Sequence, residues 1–503
     1  MRFQYRLIVL ILWITAATLP AQESGVPDGF DLDDFSFGEE TEFTGYEETF
    51  SIYGYMINYF QASTNYADQS FSKANYGDAM LLRLKGDWRP ENNLRFHVEF
   101  GYMMNTGNQN PYILYEKLGL NAFSQSDFPL EDFNQRMFFD HVWGMVNMGS
   151  FDLQFGKFPI AWGTAYFFNP TARVSFPPFL DMVTEDTPGA LAVLPSYAVS
   201  PFLSVEGYIG FQDRTQKMGA FQEDGDPKNL PLGIKVNAIL GSFDFSASYI
   251  REILYLSMDT RSLDEILETA AREYVQGIIA NQTMADMLAE GDTTGVMDLF
   301  KGSARAEMMA DPQPNNNYKR SHFLGFDFAG AVWNFGIYGE LAFRLPRKAD
   351  DSAFDLKNYH VEDQLEAAFG MDYLIPGIDL EARLEYFYQG TGVRHKSDYN
   401  LMSVLSGERL VNSRNYIITT FERTFAEFHK ILVAGVCNLN DGSFAFLPGY
   451  SYLPYNNFEI TVGAFVLGGS RGSEFDGRYT LFEEKEVDLI DNLMPYLRLK
   501  ISF

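Results

Sequence analysis

Leu493-Met494-Pro495-Tyr496-Leu497-Arg498-Leu499-Lys500-Ile501-Ser502-Phe503 decides how this chain is read. Leu497, Leu499, Ile501 and Phe503 alternate with Tyr496, Arg498, Lys500 and Ser502, the period of two of a strand with one apolar and one polar face. In water such a strand would leave an adhesive sheet edge. Closing the sheet into a barrel removes the edge, and lipid accepts the apolar face. A soluble sheet that happens to end in Phe is the competing reading.

Outward from that stretch the alternation repeats. Leu94, Phe96, Val98, Phe100 and Tyr102 share one strand face opposite Arg95, His97, Glu99 and Gly101. Leu380, Ala382, Leu384, Tyr386 and Tyr388 lie opposite Asp379, Glu381, Arg383 and Glu385. Connections sort into tight turns, such as Gly149-Ser150, Gly241-Ser242 and Trp333-Asn334, and long polar loops between them. Gly supplies the positive φ a tight hairpin needs. Short turns at one end and long loops at the other are the pattern of a membrane barrel. The plainest segments number about 16. Parity of up and down strands then demands one strand at 190–199 and another at 415–425. The expected fold is therefore a single all-β, antiparallel, up-and-down transmembrane β-barrel of about 18 strands, with 16 the second count.

The N-terminus agrees. Arg2 and Arg6 flank a start that leads into an apolar run at 7–17, and Ala21 is a small residue for cleavage, so 1–21 reads as a signal peptide. An acidic periplasmic segment is expected at 22–50 and the barrel at 51–503. The formal charge of −29 argues against a nucleic-acid partner. Aromatic residues at 16% of the chain exceed the needs of a soluble core and suit interface girdles. A single cysteine, Cys437, excludes an intrachain disulfide. One long loop departs from alternation: at 262–310, Ser262 with Glu265 forms a capping box, and Leu263, Ile266, Leu267, Ala270, Tyr274 and Ile278 recur at helical spacing. A helical loop insertion is expected there.

The terminal stretch resembles the C-terminal assembly signal of bacterial outer-membrane β-barrels, carried by Leu499, Ile501 and Phe503. A second segment, Phe155-Gly156-Lys157-Phe158-Pro159-Ile160-Ala161-Trp162-Gly163 followed by Phe168-Asn169-Pro170, resembles the strand-exit segment of porin-like and alginate-export-like barrels. Lys157 and Thr171 stand where Arg and Asp are usual in that pattern. The resemblance implies a bacterial outer-membrane channel, inserted in lipid by the barrel-assembly machinery.

The function expected is passive passage of small polar or ionic solutes, with cation-preferring or carbohydrate-related selectivity and an oligomer as further options. Pore-lining or constriction residues are expected at Arg95, Glu99, Lys157, Arg173, Asp181, Glu185, Asp186, Glu381, Arg383, Glu385 and Arg498, since rings of charge set selectivity. The segment 159–189, rich in Pro, Phe and Trp, is expected to fold into the lumen, because its rings would otherwise lie in water. An enzyme is not expected. The sequence holds no HExxH pair, no Gly-x-Ser-x-Gly elbow, no Walker loop and no metal-spaced Cys/His set, so no catalytic residue, cofactor or metal is assigned. A surface adhesin acting through 262–310 is the alternative, and an outer-membrane hydrolase stands behind it.

Overall fold

The computed structural model describes residues 50–65, 74–108, 135–175, 183, 185–211, 230–255, 318–345, 360–399, 409–481, 485–488 and 491–503. The expected signal peptide, the acidic segment up to residue 49, the helical insertion at 262–310 and Asp181 lie outside these residues.

The strands are β1 (Phe50–Ser63), β2 (Asn75–Glu91), β3 (Leu94–Gly107), β4 (Gln135–Asn147), β5 (Phe151–Phe158), β6 (Ala190–Ser200), β7 (Leu203–Gly210), β8 (Leu232–Leu240) and β9 (Phe243–Tyr255). They continue as β10 (Tyr318–Val332), β11 (Phe335–Leu345), β12 (Leu365–Ile375), β13 (Leu380–Gln389), β14 (Asn415–Phe425), β15 (His429–Asn438), β16 (Phe444–Tyr455) and β17 (Phe458–Gly468). A short hairpin, β18 (Arg478–Leu481) and β19 (Lys485–Asp488), precedes the last strand, β20 (Leu493–Ser502). Each of β1 to β17 pairs antiparallel with its successor, except that β17 passes over the hairpin to pair with β20. β20 then pairs with β1 from Tyr55↔Ser502 to Gln61↔Tyr496. Reciprocal bonds between the Gly54 and Phe503 backbones, 2.7 and 2.9 Å, finish the seam. The result is one closed sheet of 18 strands. The parity strands expected at 190–199 and 415–425 are β6 and β14.

Closure satisfies the edges, and the faces divide as the alternation demands. Phe369, Met371, Leu384, Tyr386, Leu497 and Ile501 are exposed on the outside, whereas Arg83, Glu99, Glu340, Glu385 and Gln389 are buried on the inside. This inversion of a soluble protein removes the competing reading of a soluble sheet, because an apolar belt of this extent would drive aggregation in water. One end carries turns of two to four residues, with Gly149 and Gly241 at φ of 73° and 70°. The other end carries the long connections, and the described part of the β5–β6 connection at 159–189 turns inward.

Candidate functional site: a loop held across the lumen

β5 sends the chain inward because of its last residues. Phe158 is buried and packs in a cluster with Ile160, Trp162, Ala192 and Tyr208 on the inner wall. Ile160 N–H donates to Ser175 Oγ at 3.1 Å, which folds the loop back on itself, and Trp162 Nε1–H donates to Glu206 of β7 at 3.1 Å. The ring is 4% exposed. Burying such an aromatic is worth roughly 1.5–3 kcal/mol, enough to draw the segment off the rim.

Beyond Trp162 two wall glutamates take hold of the loop backbone. Glu340, inward on β11, accepts from the N–H groups of Thr164, Ala165 (2.7 Å) and Thr171 (3.0 Å) and from the Thr171 hydroxyl (3.0 Å). Glu385, inward on β13, accepts from the N–H groups of Tyr166, Phe167 and Phe168 at 3.0–3.3 Å and from Tyr338 Oη at 3.1 Å. Both carboxylates are fully buried. Gly163, at φ 116°, allows the approach: a Cβ there would stand 2.5 Å from Glu340 Oε1. Phe168 stacks on Phe387 at 4.4 Å, covering the apolar inner face of β12–β16. Arg173 pairs with Glu366 of β12 and lies 3.8 Å over the Phe323 ring.

The returning limb is fastened to the opposite wall by charge. Asp186 accepts from Tyr55 Oη (2.6 Å) on β1 and from Lys85 Nζ (2.7 Å) on β2. Glu185 pairs with Arg498 and with Lys500 (2.6 Å) on β20. Thr187 and Gly189 then touch β4, through His141 Nε2 to the Thr187 carbonyl (2.9 Å) and Gly189 N–H to Asp140 Oδ1 (3.2 Å). The described parts of 159–189 thus lie inside the barrel, as the Trp and Phe content led one to expect; Phe176 and Phe179 lie outside the described residues.

The structure gives the expected lining or constriction residues specific local partners. Glu385 and Arg173 hold the loop rather than facing open lumen, and Arg498 is buried under Glu185 and Glu459. Glu99 is fully buried against Arg83 (2.6 Å). Lys157 pairs in register with the exposed Val142, and its Nζ reaches the Phe139 carbonyl at 3.0 Å and lies 3.8 Å from Asp140, the partner of inward Arg83. Among the side chains that keep more surface are Arg95, beside Asp87 at 3.0 Å, and the adjacent pair Glu381 and Arg383. The Arg383 guanidinium covers the Tyr166 ring of the loop at 3.9 Å.

Two features escaped the sequence reading. Glu340 stood among many polar wall residues with nothing to mark it, because its partners are about 170 positions away. The other is a bulge: between Val98↔Val142 and Phe100↔Phe139, Glu99 faces both Asp140 and His141. Two residues against one send neighbouring side chains to the same face, which strict alternation forbids.

No family model matches the chain, and no curated protein matches it. Solved structures of similar fold include a mutant porin of Rh. blastica, at TM-score 0.38 and 9% identity over 90% of this chain and 100% of that one. Another is OprB of Pseudomonas putida, at TM-score 0.39 and 10% identity over 90% of this chain and 94% of that one. The barrel is read from its own register.

Proposed function

We propose that this chain is a channel of the bacterial outer membrane for passive passage of small polar or ionic solutes, narrowed by the 159–189 loop. The observation that carries the proposal is the loop's position: a polar-lined barrel of 18 strands holds its own connection across the lumen, bonded to β11–β13 on one side and to β20, β1 and β2 on the other. A barrel of this size encloses more space than its wall side chains fill. Within that reading we place a modest cation preference. The expectation drawn from Glu185 and Asp186 is weakened, since Arg498, Lys500 and Lys85 pair with them. Glu340 and Glu385, buried under the loop, do not face the passage and add no support to that preference. Carbohydrate-like solutes would find polar groups beside an aromatic face at Glu381, Arg383 and Tyr166.

Deleting 172–186 and recording single channels in a planar bilayer tests the constriction. A larger and less selective conductance is expected, and unchanged conductance with an unchanged reversal potential would remove the loop from the proposal. Insertion by the barrel-assembly machinery is proposed from Leu499, Ile501 and Phe503, which share the outward parity of β20. Deleting Phe503 should lower the cellular yield of heat-modifiable barrel, while the thermal stability of what does insert stays nearly the same. The adhesin alternative rests on 262–310, outside the described residues, and binding by that excised segment would favour it.

A further inference from the structure

The bulge opposite Glu99 gathers three metal-ligating groups on the lumen wall. Nδ1 of His141 stands 2.9 Å from Glu99 Oε2, and Nε2 of His97 stands 3.7 Å from the same oxygen. The three ligand atoms all lie within 4.8 Å of one another. Ligands of a tetrahedral zinc ion, each about 2.0–2.2 Å from the metal, are separated by roughly 3.3 Å. The two distances to Glu99 bracket that value.

The far side of His141 settles which of its nitrogens points inward with a lone pair. His141 Nε2 lies 2.9 Å from the Thr187 carbonyl, which can only accept, so Nε2 carries the proton. His97 Nδ1 lies 3.3 Å from Asp87 Oδ1 but forms no hydrogen bond to it, so its tautomer stays open. Each ring turns one nitrogen toward the same carboxylate oxygen. Lone pairs facing a carboxylate repel unless a cation lies between them. Glu99 Oε2 itself is buried and, among the described residues, accepts no hydrogen bond. An outer acceptor that fixes the His141 tautomer, with two imidazole nitrogens and a carboxylate oxygen converging inside, is the arrangement of a metal site and its supporting shell. Two added protons would satisfy the lone pairs too. They would set two imidazolium rings with centroids 6.2 Å apart beside Asp87 and Glu99, so zinc uptake is what separates an ion from protons at this site.

We propose that His97 Nε2, His141 Nδ1 and Glu99 Oε2 bind a divalent zinc-class ion. Two imidazoles and a carboxylate suit zinc, with copper(II) and nickel(II) as competitors. The occupant displaces Lys85, whose Nζ lies 3.6 Å from Glu99 Oε2 and already 2.7 Å from Asp186. That competition sets a modest affinity. It also joins the ion to the loop, since His141 holds Thr187 and Lys85 holds Asp186, so the bound ion fastens the returning limb to β3 and β4.

Equilibrium dialysis of the untagged, detergent-solubilised barrel against zinc, with elemental analysis, tests the site without reference to transport. One ion per chain is expected, lost when His97→Gln and His141→Gln are combined. Zinc retained by that double variant would place it on other groups, and no uptake by the parent chain would end the proposal. A variant that keeps all three ligands covers the case in which the double variant fails to insert: Lys85→Gln should bind zinc at least tenfold more tightly, and an equal or weaker affinity overturns the assignment.

Discussion

The two limbs of the inward loop are fastened in contrasting ways. The outgoing limb is held by two buried carboxylates that accept from backbone N–H groups at 164–168 and 171. The returning limb is held by Glu185 and Asp186 against Arg498, Lys500, Lys85 and Tyr55, and these acids are 33% and 22% exposed. Backbone donors fix a shape, since consecutive N–H groups can meet one carboxylate in few conformations. Exposed ion pairs tolerate wider geometry, and salt screens them. The outgoing limb should therefore act as the rigid part of the constriction, and the returning limb as the part that responds to the medium.

The hardest blow to this contrast is Glu340→Ala combined with Glu385→Ala. It strands a row of buried N–H groups, at about 1–3 kcal/mol for each buried group left unmet. The expected outcome is a clear drop in unfolding temperature and noisy, enlarged single-channel currents. Currents like those of the parent would show that packing of Phe168 and Trp162 alone holds the limb. On the other side, Glu185→Gln should cost about 0–1 kcal/mol, as for a partly exposed pair. The same loosening should follow from raising salt from 0.1 to 1 M, read as hydrogen exchange at 185–189 with 164–171 unaffected. Equal salt sensitivity of the two limbs would dissolve the distinction.

The smallest effect sharpens the comparison from outside the strands. Glu474, in the connection between β17 and β18, is also met by neutral donors: Asn412 N–H at 2.9 Å, Asn438 Nδ2 at 2.8 Å and the Tyr416 hydroxyl. Burial raises its pKa above the ordinary carboxylate value despite those bonds. A carboxyl whose folded pKa is raised favours the folded arrangement at low pH. That contribution is lost as pH climbs from the ordinary carboxylate value through the raised one. Exchange protection at 472–477 should accordingly decline with rising pH by a few-fold once intrinsic rates are divided out. Glu474→Gln should flatten the trend, and a parent profile already flat would count against the assignment.

Most of the scaffold was legible because a barrel imposes one rule on every strand. Period-two faces located the segments, and turn parity supplied β6 and β14, which neither face nor length made obvious. The inward loop was legible in outline, since Trp162 and Phe168 had to leave water. Its partners were not, because Glu340 and Glu385 look like any other inward acid until the tertiary fold brings 164–171 beside them. Lys157 is instructive in another way. Phe151, Leu153 and Phe155 put it on the outward parity, yet its ammonium lies 3.8 Å from Asp140, the partner of inward Arg83, so parity alone does not place its charge. The histidine cluster was illegible for a definite reason: the bulge at Asp140 and His141 breaks the very rule by which the other faces were assigned.

Consider last where the loop is pinned. It leaves from β5 and re-enters at β6, it is bonded to β11 and β13, and it is bonded to β20, β1 and β2. Counted around the closed sheet, two of the gaps between those stations span about six or seven strands and the third about four or five. An empty hoop flattens easily under sideways load, because squeezing one diameter merely lengthens another. A strut tied at three such points triangulates the hoop, so no diameter can change without stretching a tie. The loop that narrows the passage would by this geometry also keep the cylinder round against the lateral pressure of the bilayer.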